Sequence, residues 1–160
     1  MVGINVTIGL PMARHPALTP TVAASVEQTC FSFAAQKAAR AIGRKYDAAL
    51  RSTGLSNWQF TLLMMLVRDE PPTVGTLAQH LATDRTTITA NLKPLVRRGL
   101  VRIQGDAEDR RIRRVMLSDE GHTLLGEAYP LWQRAQDALG QQLGKIDQDA
   151  FRAAVNALSA

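Results

Sequence analysis

The sequence predicts a mainly α-helical chain with one small β-hairpin, and three observations lead there. Apolar residues recur at helical spacing through most of the chain, in stretches punctuated by Gly, Pro and capping residues. The period switches to strict alternation only in "LVRIQ" (100–104) and "RRVML" (113–117). That switch comes directly after two short helical segments. Short helix, turn, helix and then a hairpin is the winged helix-turn-helix arrangement, here flanked by longer helices on both sides.

Taken in order, residues 1–20 read as a flexible extension punctuated by Pro16 and Pro20, and residues 21–160 as one domain. "TVAASVEQTCFSFAAQKAARAIGRKYDAAL" has no Gly or Pro from Thr21 to Ile42 and reads as one long helix, stopped near Ser52-Thr53-Gly54. Ser56 and Gln59 form a capping box opening "NWQFTLLMMLVRDE", which Pro71-Pro72 should close. Thr73 can cap "VGTLAQHLA", and Thr83 can cap "DRTTITANLKPLVRR", which Gly99 stops. Pro94 is the discord in that helix, and a kink away from its start is expected. In the two strands, Val101 and Ile103 should face the same side as Val115 and Leu117. Residues 54–117 thus make the winged helix-turn-helix. Ser118 opens a long helix whose Leu124, Leu125, Ala128, Leu131, Trp132, Ala135, Leu139 and Leu143 form one apolar stripe. Asp147 starts a last short helix with Phe151, Val155 and Leu158.

Charge is concentrated in this chain. Residues 80–115 hold nine Lys and Arg against four acids, the whole formal excess of +5, while the remainder balances ten against ten. A local cationic segment of this kind suits a polyanion. The single cysteine, Cys30, excludes an intrachain disulfide framework and fits a reducing compartment, so a cytoplasmic location is expected. The leader has no charged region before its weak apolar stretch, which argues against a secretory signal. The apolar run Leu62–Val67 is far short of a membrane span. His15, His80 and His122 lie in separate elements, so neither a metal nor another cofactor is expected, and no compact nucleophile–base constellation suggests an enzyme.

Two segments carry the chemistry. Arg85, Thr86, Thr87, Thr89, Ala90 and Lys93 lie on or near the start of the second helix of the helix-turn-helix, where side chains can meet base edges in a major groove. The same residues are compatible with an ordinary helical hairpin. The hairpin tip "GDAEDRRIRR" packs four arginines into five positions behind three acids. Such a tip fits the negative minor groove, with Asp109 holding the Arg111 guanidinium and Arg110, Arg113 and Arg114 serving flanking phosphates. A solvated turn is the plainer alternative.

"GLSNWQFTLLMML", "LAQHLATDRTTITANLKPLVRRGLV", "DAEDRRIRRVMLSDEG" and "YPLWQRAQ" resemble the MarR (multiple antibiotic resistance regulator) family over residues 22–158. The family's wing Asp-x-Arg matches Asp109 and Arg111. The resemblance implies a homodimer on a palindromic operator in double-stranded DNA, usually a repressor, released by a small molecule or an oxidant. It also implies that residues 21–51 and 118–160 form the dimerisation helices, and that Tyr46, Trp58 and Phe60 line a pocket for an aromatic or phenolic effector. Plain core packing is the other reading of those aromatics. "TCFSFAAQKAAR" is similar to the first helix of hydroperoxide-sensing members, which makes Cys30 a candidate redox sensor. Those members keep tyrosines near the cysteine. Here Phe33 and Ala34 stand nearby, and Tyr46, 16 residues on, would be about 24 Å away along one helix. A peroxide-sensing repressor and a winged-helix module that contacts protein rather than DNA remain as alternative functions.

Overall fold

The computed structural model describes residues 18–106, 109 and 112–158. Arg110, Arg111 and the extension up to residue 17 lie outside the described residues. The chain divides into two compact units, the first ending at Ala38 and the second starting at Ala39.

In the first unit, α1 (Pro20–Thr29) starts on Thr19, whose hydroxyl accepts the Val22 N–H at 3.3 Å, with Pro20 preset for the first helical position. The expected single long helix is two helices. Cys30 leaves the helical region (φ −74°, ψ 112°), and α2 (Phe31–Leu50) follows it. The Cys30 N–H closes α1 on the Val26 carbonyl, and its Sγ accepts the Phe33 N–H at 3.5 Å. Cysteine therefore sits in the position of an N-cap for α2, which explains how a helix can restart without Gly or Pro. Cys30 and Tyr46 do not share one helix as expected.

In the second unit α2 buries Tyr46 and Leu50 at its end, and a single 3₁₀ turn at Arg51–Thr53 closes on Gly54 in the left-handed region (φ 66°). The Ser56–Gln59 capping box opens α3 (Asn57–Met64), as the sequence predicts. α3 ends well before Pro71-Pro72, however. Val115 donates its N–H to the Pro72 carbonyl at 2.8 Å and Thr73 bridges Arg114, so this stretch is drawn out alongside a strand instead of coiling to the prolines.

Thr73 caps α4 (Val74–His80). α5 (Arg85–Arg97) is capped by Asp84 rather than Thr83. A carboxylate serves better there, because it can accept two bonds at once and suits the positive end of the helix. α5 continues through Pro94. The Ala90 carbonyl that loses a donor to this proline belongs to an exposed residue, where water can replace it. At its end the Leu100 N–H reaches the Leu95 carbonyl and the Gly99 N–H that of Val96, with Gly99 at φ 73°. This is the Schellman closure that glycine permits.

β1 (Val101–Gly105) and β2 (Arg113–Leu117) pair antiparallel, with Val101 opposite Leu117 and Ile103 opposite Val115. The alternation puts Val101, Ile103, Val115 and Leu117 on one face, as expected. α6 (Asp119–Leu143) starts on Ser118 and runs through Pro130, and α7 (Gln148–Ala157) starts on Asp147. The core joins α3, α4, α5, the strands and the start of α6. Leu62, Leu63, Ile88, Leu95 and Val115 retain no exposed surface, and a side chain buried to that extent contributes about 1.5–3 kcal/mol.

Candidate nucleic-acid interface

The start of α5 is built around Asp84. Its carboxylate accepts the Thr87 N–H at 2.8 Å and the Thr87 hydroxyl at 2.7 Å. The Thr87 side chain is therefore half-buried and engaged, while Arg85, Thr86, Thr89, Ala90 and Lys93 are exposed. Those five occur at intervals that return to one side of a helix, opposite buried Ile88, Leu92 and Leu95. Thr89 donates its hydroxyl to the Arg85 carbonyl at 2.7 Å, which leaves its methyl available to a base edge. Beside this face a groove of ≈ 570 Å³ is lined by Leu92, Pro94, Val96 and Ile103, with Lys93 and Arg97 among its residues.

The bonds to Thr87 hold the Asp84 carboxyl below its ordinary value. Its folded pKa is depressed, so the stability it contributes is present above the unfolded value of about 3.9 and is lost as pH falls through the folded one. Asp84→Asn keeps a capping oxygen but cannot titrate. The wild-type melting temperature should fall more steeply than that of Asp84→Asn between pH 5 and pH 3; parallel curves would remove Asp84 from the acid response.

The wing is anchored more firmly than its sequence suggests. Arg114 directs Nε to the Asp106 carboxylate and Nη1 to the Pro71 carbonyl at 2.9 Å. Arg114, expected on a phosphate, thus ties the base of the hairpin to the segment before α4. Asp106, which the sequence did not single out, also accepts the Asp109 N–H at 3.2 Å and donates its own N–H to the Ile112 carbonyl at 2.9 Å. Arg113 is exposed on β2. Arg110 and Arg111 lie outside the described residues, so the expected Asp109–Arg111 pair does too. At the far end of α5, Arg98 donates to the Gly54 carbonyl at 2.8 Å and to that of Thr53 at 3.2 Å, joining the turn after α2 to α5.

The three aromatic candidates for an effector pocket divide. Tyr46 and Phe60 are buried and stack on Trp132, with ring centroids 6.4 Å and 5.9 Å away, and Tyr129 stacks on the same indole at 5.8 Å. Trp132, read from the sequence as part of a helical stripe, is the hub. Tyr46 donates to the Gln136 side chain, and burial pushes its phenol up. Trp58 packs half-buried against the core, and its buried indole N–H has no acceptor among the described residues. Cys30 is half-buried between α1 and α2. Among the described residues no cluster of three His, Cys, Asp or Glu could hold a metal, and no helix is long and apolar enough to cross a membrane.

This architecture has relatives. The family model described as MarR family matches residues 53–112, from the turn before α3 to the wing. The transcriptional regulator MosR of M. tuberculosis, solved in complex with DNA, is 35% identical; the match covers 81% of this chain and 93% of MosR, with a TM-score of 0.74. The chain belongs to the MarR family. A curated relative, the HTH-type transcriptional regulator TtmR of Methylorubrum extorquens, is 35% identical over 100 residues, 62% of this chain. The match spans half the length of TtmR. A MarR variant from E. coli complexed with operator DNA shares the fold at 19% identity, covering 83% of this chain and 96% of that one with a TM-score of 0.75. The MarR winged helix expected from the sequence is therefore the fold observed.

Proposed function

We propose that this MarR-family chain is a homodimeric transcriptional regulator that grips palindromic double-stranded DNA and represses from it until a small aromatic effector binds. The observation that carries this reading is the exposed face Arg85, Thr86, Thr89, Ala90 and Lys93, adjacent in the chain to an arginine-rich wing, in the segment that holds all the net charge. MosR, solved with DNA at 35% identity, supports it. Pairing is supported by apolar surface on the outer helices. Val22, Val26, Phe31 and Phe33 are exposed on the first unit, and Ile146, Phe151, Val155 and Leu158 on the second. Two such protomers would set their reading helices about one DNA turn apart, near 34 Å. For the effector, the support is the aromatic cluster and the Trp58 N–H. A buried donor without an acceptor is costly, and a ligand oxygen would relieve that cost.

The test is binding to an operator enriched from random duplexes, measured at several salt concentrations. Phosphate contacts predict a log–log slope proportional to the ion pairs formed. Arg111→Ala should weaken binding about a hundredfold, because both wings of the dimer lose a groove contact, while the protein stays folded. A flat salt response with an unaffected Arg111→Ala would favour a winged helix that contacts protein.

A further inference from the structure

Gly75 occupies the first turn of α4, and its φ is not in the left-handed region, so no backbone conformation demands glycine there. Alanine would be the better helix former. What glycine provides is room for one side chain. A Cβ at position 75 would lie 3.1 Å from Arg85 Nη2 and 3.4 Å from both Arg85 Cζ and Nε, and those are its nearest contacts. Three atoms of one planar group at nearly equal distance mean that the Arg85 guanidinium lies across the bare backbone of α4.

Arg85 is poorly placed for any local purpose. It is the first residue of α5, at the positive helix end, where a cation opposes the helix dipole. The neighbouring Asp84 carboxylate is engaged by Thr87. Among the described residues Arg85 makes no side-chain hydrogen bond or ion pair, so its donors are uncommitted. Resting on the DNA-binding reading above, we infer that Gly75 is a positioning residue that beds the Arg85 guanidinium on α4 and so presents it, already ordered, to a base edge. An arginine held in one pose loses less rotamer freedom on binding, and its planar fork matches guanine. Gly75 therefore acts on DNA choice through Arg85 and touches no nucleotide itself.

The test is a double-mutant cycle on an operator enriched by the wild-type chain from random duplexes. Arg85→Ala should lose about tenfold or more in affinity, and Gly75→Ala about threefold, because the added methyl pushes the guanidinium off its seat by a few tenths of an ångström. The double variant should bind no more weakly than Arg85→Ala alone. Re-selection with Gly75→Ala should relax the same base positions that Arg85→Ala relaxes, and its melting temperature should not fall below wild type. Losses that multiply in the double variant, a Gly75→Ala protein that binds as wild type, or one that melts lower would each overturn the inference while leaving the DNA reading intact. A wild-type chain that enriches no duplex would overturn the DNA reading and this inference with it.

Discussion

Gly121→Ala should lower the melting temperature by about 10 °C, equivalent to about 3 kcal/mol for a domain of this size. Gly121 is buried in the first turn of α6, where that helix leaves the wing. A Cβ there would come within 2.2 Å of the Leu100 carbonyl oxygen and 2.8 Å of Leu117 Cδ1. The first contact is backbone, so no side chain can rotate away; α6 or the start of β1 must move. This junction is tightly bonded. Ser118 donates its hydroxyl to the Gly99 carbonyl at 2.6 Å and its N–H to that of Leu100 at 3.1 Å, and it accepts the Gly121 N–H at 3.0 Å. Displacing α6 breaks several of these bonds and shifts the wing relative to the end of α5. Gly126, further along the same helix, has nothing within 4 Å of its Cβ position. Gly126→Ala should raise stability by about 0.5–1 kcal/mol from helix propensity alone. Thermal melts of the two variants check the pair, and equal shifts would contradict the packing account.

On the proposed dimer, Phe151→Glu combined with Val155→Glu should convert the protein to a monomer and weaken operator binding by about a hundredfold or more. Phe151 and Val155 of α7 and its C-cap Leu158 fall at i, i+4 and i+7, one stripe, and all three are exposed in the single chain. No residue of α7 is buried. Acidic residues on an exposed stripe cost the monomer little, whereas charges enclosed between two protomers have no partner and oppose association. A monomer reads one half-site, and the high effective concentration of the second reading helix is lost. Sedimentation velocity and a mobility-shift titration check both parts. A double variant that still sediments as a dimer would move the protomer interface off α7.

What the sequence revealed and what it hid divide along physical lines. The shared face of the hairpin was legible because Val101, Ile103, Val115 and Leu117 alternate, whereas the register was not, since a slip of two residues would keep the same side chains on that face. The caps at Ser56, Thr73, Ser118 and Asp147 were legible because each capping bond spans only two or three residues. Thr83 was misread for Asp84 because both are good caps, and the choice depends on where the backbone turns. Ala82 takes a positive φ of 46° just before them, a conformation the sequence does not advertise. The break at Cys30 was invisible for a similar reason, since neither Gly nor Pro marks it.

The site's supports were hidden because they are not local. The Arg114 bonds to Asp106 and Pro71, the Arg98 bonds to Thr53 and Gly54, and the Val115 bond to Pro72 join residues up to 45 positions apart. An arginine in a cationic run looks the same from sequence whether it faces a phosphate or holds a loop. Gly75 and Gly121 are glycines in helices, and only the neighbouring elements reveal what each leaves room for. The exposed side of α5, by contrast, follows from the sequence because Ile88, Leu92 and Leu95 fix which side is buried. Thr87 was the exception, since its hydroxyl is turned into the cap.

As proposed, two copies of α5 and its wing hold consecutive turns of one duplex. Hydroxyl-radical footprinting of the complex on an enriched operator, at a protein concentration where native mass spectrometry counts the chains, tests this arrangement most directly. Two chains per duplex and a two-fold symmetric footprint are expected, with protected patches repeating at about 10 base pairs and weakening between them. A single unsymmetrical patch, or one chain per duplex at saturation, would contradict it.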